Sequence, residues 1–93
     1  DTGHANVDDR RGRRLKALVS RFGPRIGHLH FSDNQGKLDD HLAVGQGTVN
    51  FKELVRRLKG TGYDDTVTLE VFDENRQMLV KSRERIEAMF ADR

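Results

Sequence analysis

The segment from Gly27 to Gly47, GHLHFSDNQGKLDDHLAVGQG, constrains this chain more than any other stretch. It holds three of the four histidines and three aspartates. It opens as a strand over 26–31, in which successive side chains alternate faces. Ile26, His28 and His30 then share one face, and Leu29 and Phe31 the other. In a parallel strand covered by helices the apolar face meets the helices, so the histidine face must meet something polar. His30, beside the following loop, is assigned to a functional site. His28, one pleat deeper, is expected to be a hydrogen-bonded core histidine. The loop from Ser32 to Asn50 is long for a compact domain, and such loops are usually functional. Gly36, Gly45 and Gly47 are expected to supply its tight turns.

Helical patterns surround this segment. Leu15, Leu18, Val19 and Phe22 recur at helical spacing and predict a helix over 10–22, ended by Gly23-Pro24. Phe51, Leu54, Val55 and Leu58 predict a second helix over 51–59. Asn50 is its cap, Glu53 the reciprocal partner, Val49 and Leu54 a hydrophobic staple, and Gly60 and Gly62 the stop. A second strand spans 66–72, with Val67, Leu69 and Val71 on one face and Thr68, Glu70 and Phe72 on the other. A last helix covers 74–90, capped by Asp73 or Asn75, with Met78 and Met89 as core filler. Strands alternating with helices imply parallel strands joined by right-handed crossovers. The fold class is therefore α/β.

Length and composition set limits. At 93 residues the chain is one domain at most, spanning 1–93. A chain this short buries only about 60–65% of its unfolded surface. Cysteine is absent, so disulfides and thiolate zinc sites are excluded, and a metal must sit on His, Asp and Glu. Lack of cysteine is compatible with a cytoplasmic location. The net charge of +2 is not a nucleic-acid-binding balance. The run Arg10, Arg11, Arg13, Arg14 and Lys16 reads as a solvated helix face. Apolar runs long enough to span a membrane are absent from the sequence. The opening DTGHAN has no Met, which gives the expectation of a cut N-terminus.

Three residues fall at the carboxyl ends of strands or just after them: Asp1, His30 and Glu70. A glutamate on the polar face of a buried strand is costly unless it is paired or bound to a metal. Donors of types O, N and O suit Mn, Mg, Zn or Fe. Asp1 and His4, three residues apart, read equally as a capping Asp with a surface His or as a ligand pair. Asp39 and His41 reach one cation if the loop is extended, and otherwise belong to an exposed turn.

The segments DTGHAN at 1–6, HLHFSDNQGKLDDHLAVGQG at 28–47 and VTLEVF at 67–72 resemble, in order, the motifs of the xylose-isomerase-like TIM barrels. That superfamily includes sugar and sugar-phosphate isomerases and epimerases, and the endonuclease-IV-type apurinic endonucleases. The resemblance implies the C-terminal part of a (β/α)8 barrel, from the end of unit six to unit eight. It implies a divalent metal (Mn, Mg, Zn or Co) held by Asp1, His30 and Glu70, with Asp39 and His41 as further ligands. It also implies His4 as a substrate-contacting or second-metal residue, Asp33 and Asn34 as substrate contacts, and Glu70 with His4 as catalytic residues. A further glutamate of the metal set would lie on an earlier strand.

A complete barrel needs roughly 250 residues, and a two-stranded sheet exposes its edges. The expected partners are therefore a small sugar or sugar phosphate and either a second copy or the N-terminal part of a barrel. Two alternatives accompany the isomerase expectation. One is an apurinic endonuclease, on the strength of Asp39 and His41. The other is a non-catalytic half-barrel that folds by oligomerising.

Overall fold

Parallel pairing of two short strands sets the frame. β1 (His28–Phe31) and β2 (Thr66–Leu69) lie side by side, with His28 opposite Thr66 and Phe31 opposite Leu69. Parallel neighbours cannot be joined by a tight turn, and here the connection runs through the long loop and α3 (Phe51–Gly60). The computed structural model describes residues 1–92. The other helices are α1 (Thr2–Asn6), α2 (Arg13–Phe22) and α4 (Arg76–Ala91). No helix of the described residues is long and apolar enough to cross a membrane.

The alternation expected for β1 is present. Leu29 and Phe31 are buried, His30 is half-buried and His28 is exposed. The buried pair joins a core with Val19 of α2, Phe51, Leu54, Val55 and Leu58 of α3, and Ile86 of α4. The rings of Phe31 and Phe51 meet at 5.4 Å. Fully burying each such side chain is worth about 1.5–3 kcal/mol, so the helix-facing side of the sheet stabilises the fold and frees the other side for polar groups.

Several boundaries differ from the sequence pattern, each for a local reason. Pairing of β1 starts at His28 because Gly23–Arg25 forms a 3-10 turn that Ile26 closes. β2 ends at Leu69 because β1 has by then entered the loop. The Glu70 amide still donates to the Phe31 carbonyl (2.9 Å), but the Phe72 amide donates to the His41 carbonyl (2.9 Å). α2 starts at Arg13 because Arg11 and Gly12 adopt left-handed backbone, with φ of 60° and 67°. Of its apolar stripe only Val19 is fully buried, and Leu18 and Phe22 remain exposed. Asn50 caps α3 as expected, accepting from the Glu53 amide at 3.1 Å. The reciprocal half of that cap does not form, because Arg56 and Arg57 take the Glu53 carboxylate. The Arg56 hydrogen bond, first among the causes, holds that carboxyl below its ordinary value. α4 is capped by Asn75, which accepts from the Gln77 amide at 3.0 Å.

The loop after β1 is knitted rather than slack. Asp33 is fully buried, and its two carboxylate oxygens accept from the amides of Asn34 (2.9 Å), Gly45 (3.0 Å), Gly47 (2.9 Å) and Val49 (3.0 Å). Its backbone exchanges two hydrogen bonds with Leu42, of 2.9 and 2.8 Å. The Ser82 hydroxyl of α4 accepts from the Val44 amide at 3.0 Å and donates to the Met78 carbonyl at 2.8 Å. The glycines divide by role. Gly36 and Gly45 have φ of +87° and +95°, as turn glycines should. Gly47 has no positive φ; a Cβ there would collide with the Asn34 carbonyl and the Asp33 carboxylate. Gly47→Ala is therefore expected to destabilise by about 1–3 kcal/mol through overpacking. Gly60→Ala, with nothing within 4 Å of its Cβ position, should be neutral or stabilising by up to about 1 kcal/mol. Urea unfolding midpoints of the two variants check the contrast.

Candidate metal centre

The polar face of β1 and the two segments beside it converge. Asp1 is the N-cap of α1, one carboxylate oxygen accepting from the His4 amide at 2.8 Å. The other lies 3.5 Å from His4 Nδ1. The capping reading of this pair holds, and Asp1 keeps its second carboxylate oxygen beside His4. From β1, His30 Nδ1 pairs with the Glu70 carboxylate. Asp1, His30 and Glu70 present ligand atoms within 4.8 Å of one another.

A second trio shares Asp1. The ligand atoms of Asp1, His4 and Asp39 also lie within 4.8 Å of one another. Asp39 Oδ2 is 3.3 Å from His4 Nδ1 and 3.5 Å from His41 Nε2. The backbone of His41 is left-handed (φ 54°), its Nδ1 lies 3.1 Å from the Glu70 carbonyl oxygen, and its ring stacks on Phe72 at 4.2 Å. A carbonyl only accepts, so Nδ1 carries the proton and Nε2 is the nitrogen turned toward Asp39. This is how a ligating imidazole is usually oriented, by a hydrogen bond on its other nitrogen.

The residues fit a divalent cation on two counts. The set combines carboxylate oxygen and imidazole nitrogen, as hard or borderline divalent ions require. Among the described residues, Asp39 Oδ1 is also a buried oxygen with no hydrogen-bond partner. Ser32 Oγ is the other such buried atom, and both crowd Gly3, where a Cβ would collide with the hydroxyl and approach Asp39 Oδ1 to 2.9 Å.

One expected environment changes, and two residues expected at the substrate lie buried. His28 is hydrogen-bonded, through its two ring nitrogens, to the hydroxyls of Thr66 and Thr68, but it is exposed rather than in the core. Its face of the sheet has no apolar layer over it among the described residues. Asp33 and Asn34, expected to touch substrate, are fully buried, and their polar atoms are engaged within the loop and by α1. Thr2, Gly3 and Asn6, which dock α1, and Phe72, which covers His41, were not singled out from the sequence. The only available signal for Thr2 and Asn6 was their spacing of four, which places them on one helix face.

Comparison with known proteins adds to this geometry. A family profile described as xylose isomerase-like TIM barrel matches residues 1–90. The chain belongs to this family. Its relatives include an uncharacterised protein of Methanocaldococcus jannaschii, 38% identical over 84 residues, covering 90% of this chain and 28% of that protein. Fructoselysine 3-epimerase of Escherichia coli O157:H7 is 29% identical over 82 residues, covering 84% of this chain and 30% of the epimerase. The crystal structure of a D-tagatose 3-epimerase-like protein superposes with a TM-score of 0.79 at 34% identity, over 98% of this chain and 33% of that one. The chain thus spans about a third or less of the length of these relatives. The α/β fold with parallel strands is that of the corresponding part of a TIM-barrel epimerase.

The capping role of Asp1 is separable from its charge. Asn caps a helix as well as Asp does, whereas Ala costs about 0.5–2 kcal/mol. Asp1→Asn should therefore melt within error of the parent chain, and Asp1→Ala lower, as followed by far-UV circular dichroism.

Proposed function

We propose that this chain is the C-terminal part, from the end of unit six to unit eight, of a (β/α)8 barrel. The barrel would be a divalent-metal-dependent isomerase or epimerase acting on a sugar or sugar phosphate. The observation that carries the reading is the convergence of Asp1, His30 and Glu70 within 4.8 Å at the carboxyl ends of parallel strands, the end at which barrel enzymes place their chemistry. The epimerase relatives support the reaction class. Asp1, His30 and Glu70 would hold the ion, and Asp39 and His41 stand ready as further ligands.

A bound divalent ion supplies Lewis-acid polarisation of the substrate carbonyl and hydroxyl oxygens. Glu70 takes a proton from the carbon beside the carbonyl, and the bonding pair moves toward the carbonyl oxygen. A second carboxylate, on an earlier strand of the barrel, returns a proton to the opposite face of that carbon. Burying about three-quarters of the Glu70 side chain, which is 28% exposed, limits competition from water for that proton. His4, whose side chain is 75% exposed, would meet a substrate hydroxyl. The open edge of β2 and the exposed histidine face are where the remaining barrel, or a second copy, would pack.

A second reading, an apurinic endonuclease with more than one ion, is favoured by the Asp1, His4 and Asp39 trio. It is weaker here because a net charge of +2 is a small excess of the basic residues that bind DNA phosphates. Two measurements decide. Mn2+ titration of the purified chain should give stoichiometric binding that His30→Ala removes; no binding, or binding indifferent to His30, overturns the metal assignment. In the complete barrel, a ketose should exchange its carbon-bound proton with solvent deuterium. Metal-dependent nicking of an abasic-site duplex, without that exchange, would overturn the isomerase reading in favour of the endonuclease.

A further inference from the structure

α1 is only five residues long, and an isolated helix of that length does not persist in water. It nevertheless carries both Asp1 and His4, so something else must hold it. Four of its residues, Thr2, Gly3, Ala5 and Asn6, are buried. The Thr2 hydroxyl donates to the Ser32 carbonyl at 2.9 Å and accepts from the Ser32 amide at 3.0 Å. Ser32 is only two residues beyond His30. Asn34 makes the widest connection. Its Nδ2 donates to the Gly3 carbonyl at 2.8 Å, and its Oδ1 accepts from Asn6 Nδ2 at 2.7 Å and from the Gly36 amide at 2.9 Å. Asn6 Nδ2 also donates to the Thr48 hydroxyl at 2.9 Å. Gly3 permits the close approach, since a Cβ there would strike Ser32 Oγ.

Both asparagines are fully or almost fully buried. Burying a primary amide without partners is costly, and here most of these donors and acceptors join α1 to the segment that leaves β1, while the Gly36 amide bond to Asn34 Oδ1 tightens that segment itself. We infer that Asn34 and Asn6 are positioning residues that dock α1 and thereby set the separation of Asp1 from His30. They touch neither the ion nor the substrate. The inference rests on the metal reading above, and assigns to buried loop amides the control of that centre's affinity. The side chain of Asn34 fits the task because a primary amide both donates and accepts in one plane. It can therefore satisfy a helix carbonyl and a helix side chain at once, which a carboxylate cannot.

The test uses the purified chain with Asn34→Ala, Asn6→Ala and the exposed control Gln35→Ala. It reads Mn2+ affinity and hydrogen exchange of the α1 amides, below each variant's melting temperature. The expected result is a loss of Mn2+ affinity of about 10–100-fold for the two asparagine variants, the range found for outer partners of metal ligands. Faster exchange at His4 and Ala5 should accompany it, with no change for Gln35→Ala. Wild-type affinity in folded asparagine variants, even with a lowered melting temperature, overturns the inference and leaves these residues a purely structural role. If the parent chain shows no His30-dependent binding, the metal reading has failed. Exchange alone then decides the clamp: unchanged α1 protection in Asn34→Ala overturns it, and lost protection retains the docking role.

Discussion

The buried carboxylate of Asp33 is the interaction on which the rest of the structure depends. An isolated charge in the interior is very costly, and it persists here because four backbone amides converge on it. Charge-assisted hydrogen bonds of this kind are about twice as strong as neutral ones. Their geometric consequence is that a loop of many residues is drawn back onto its own beginning. Ala43, Val44 and Val49 are thereby buried, and Asn50 arrives in place to cap α3. Asp39 is carried over α1, and His41 against the segment that leaves β2. One carboxylate thus closes the core on one side and sets two candidate ligands on the other.

The candidate centre draws on four separate parts of the chain: the cap of α1, the end of β1, the loop, and the residue after β2. They meet because the two strands are parallel and in register, so the segments leaving them emerge at the same end. Several residues both shape the backbone and face the candidate cluster. Asp1 caps a helix and faces the cluster; His41 closes a left-handed turn, orients itself on the Glu70 carbonyl, and turns Nε2 toward Asp39. Behind them stands a layer of neutral amides and hydroxyls, Thr2, Asn6, Asn34 and Thr48, that fixes distances without adding charge.

Much of this was legible in the sequence where a short-range rule applies. Period-two alternation in HLHF separated the buried Leu29 and Phe31 from His30, since pleating fixes which face each residue takes. The stripe Phe51, Leu54, Val55 and Leu58 identified α3, and Asn50 its cap. Gly36 and Gly45 were recognisable as turn glycines. Boundaries were less so. Residues 26–27 and 70–72 also read as strand, but pairing begins only after the 3-10 turn at Gly23–Arg25 and ends where β1 has entered the loop.

By itself, then, the sequence determined the alternation of elements, most of the apolar faces and the family, because each is written in residue chemistry at fixed local spacing. Only the tertiary structure decided which polar residues face outward. Asp33 and Asp39 are both aspartates of the one loop after β1. One is buried by four amides and the other points an oxygen at two histidines. That difference comes from the path of the loop through space. Gly47 likewise resembles its neighbour Gly45, but it is a glycine for closeness of approach rather than for φ, and only packing against Asn34 reveals that. His28 could not be assigned an exposed position from its pleat alone, because exposure depends on what lies above the sheet, and no local pattern encodes it.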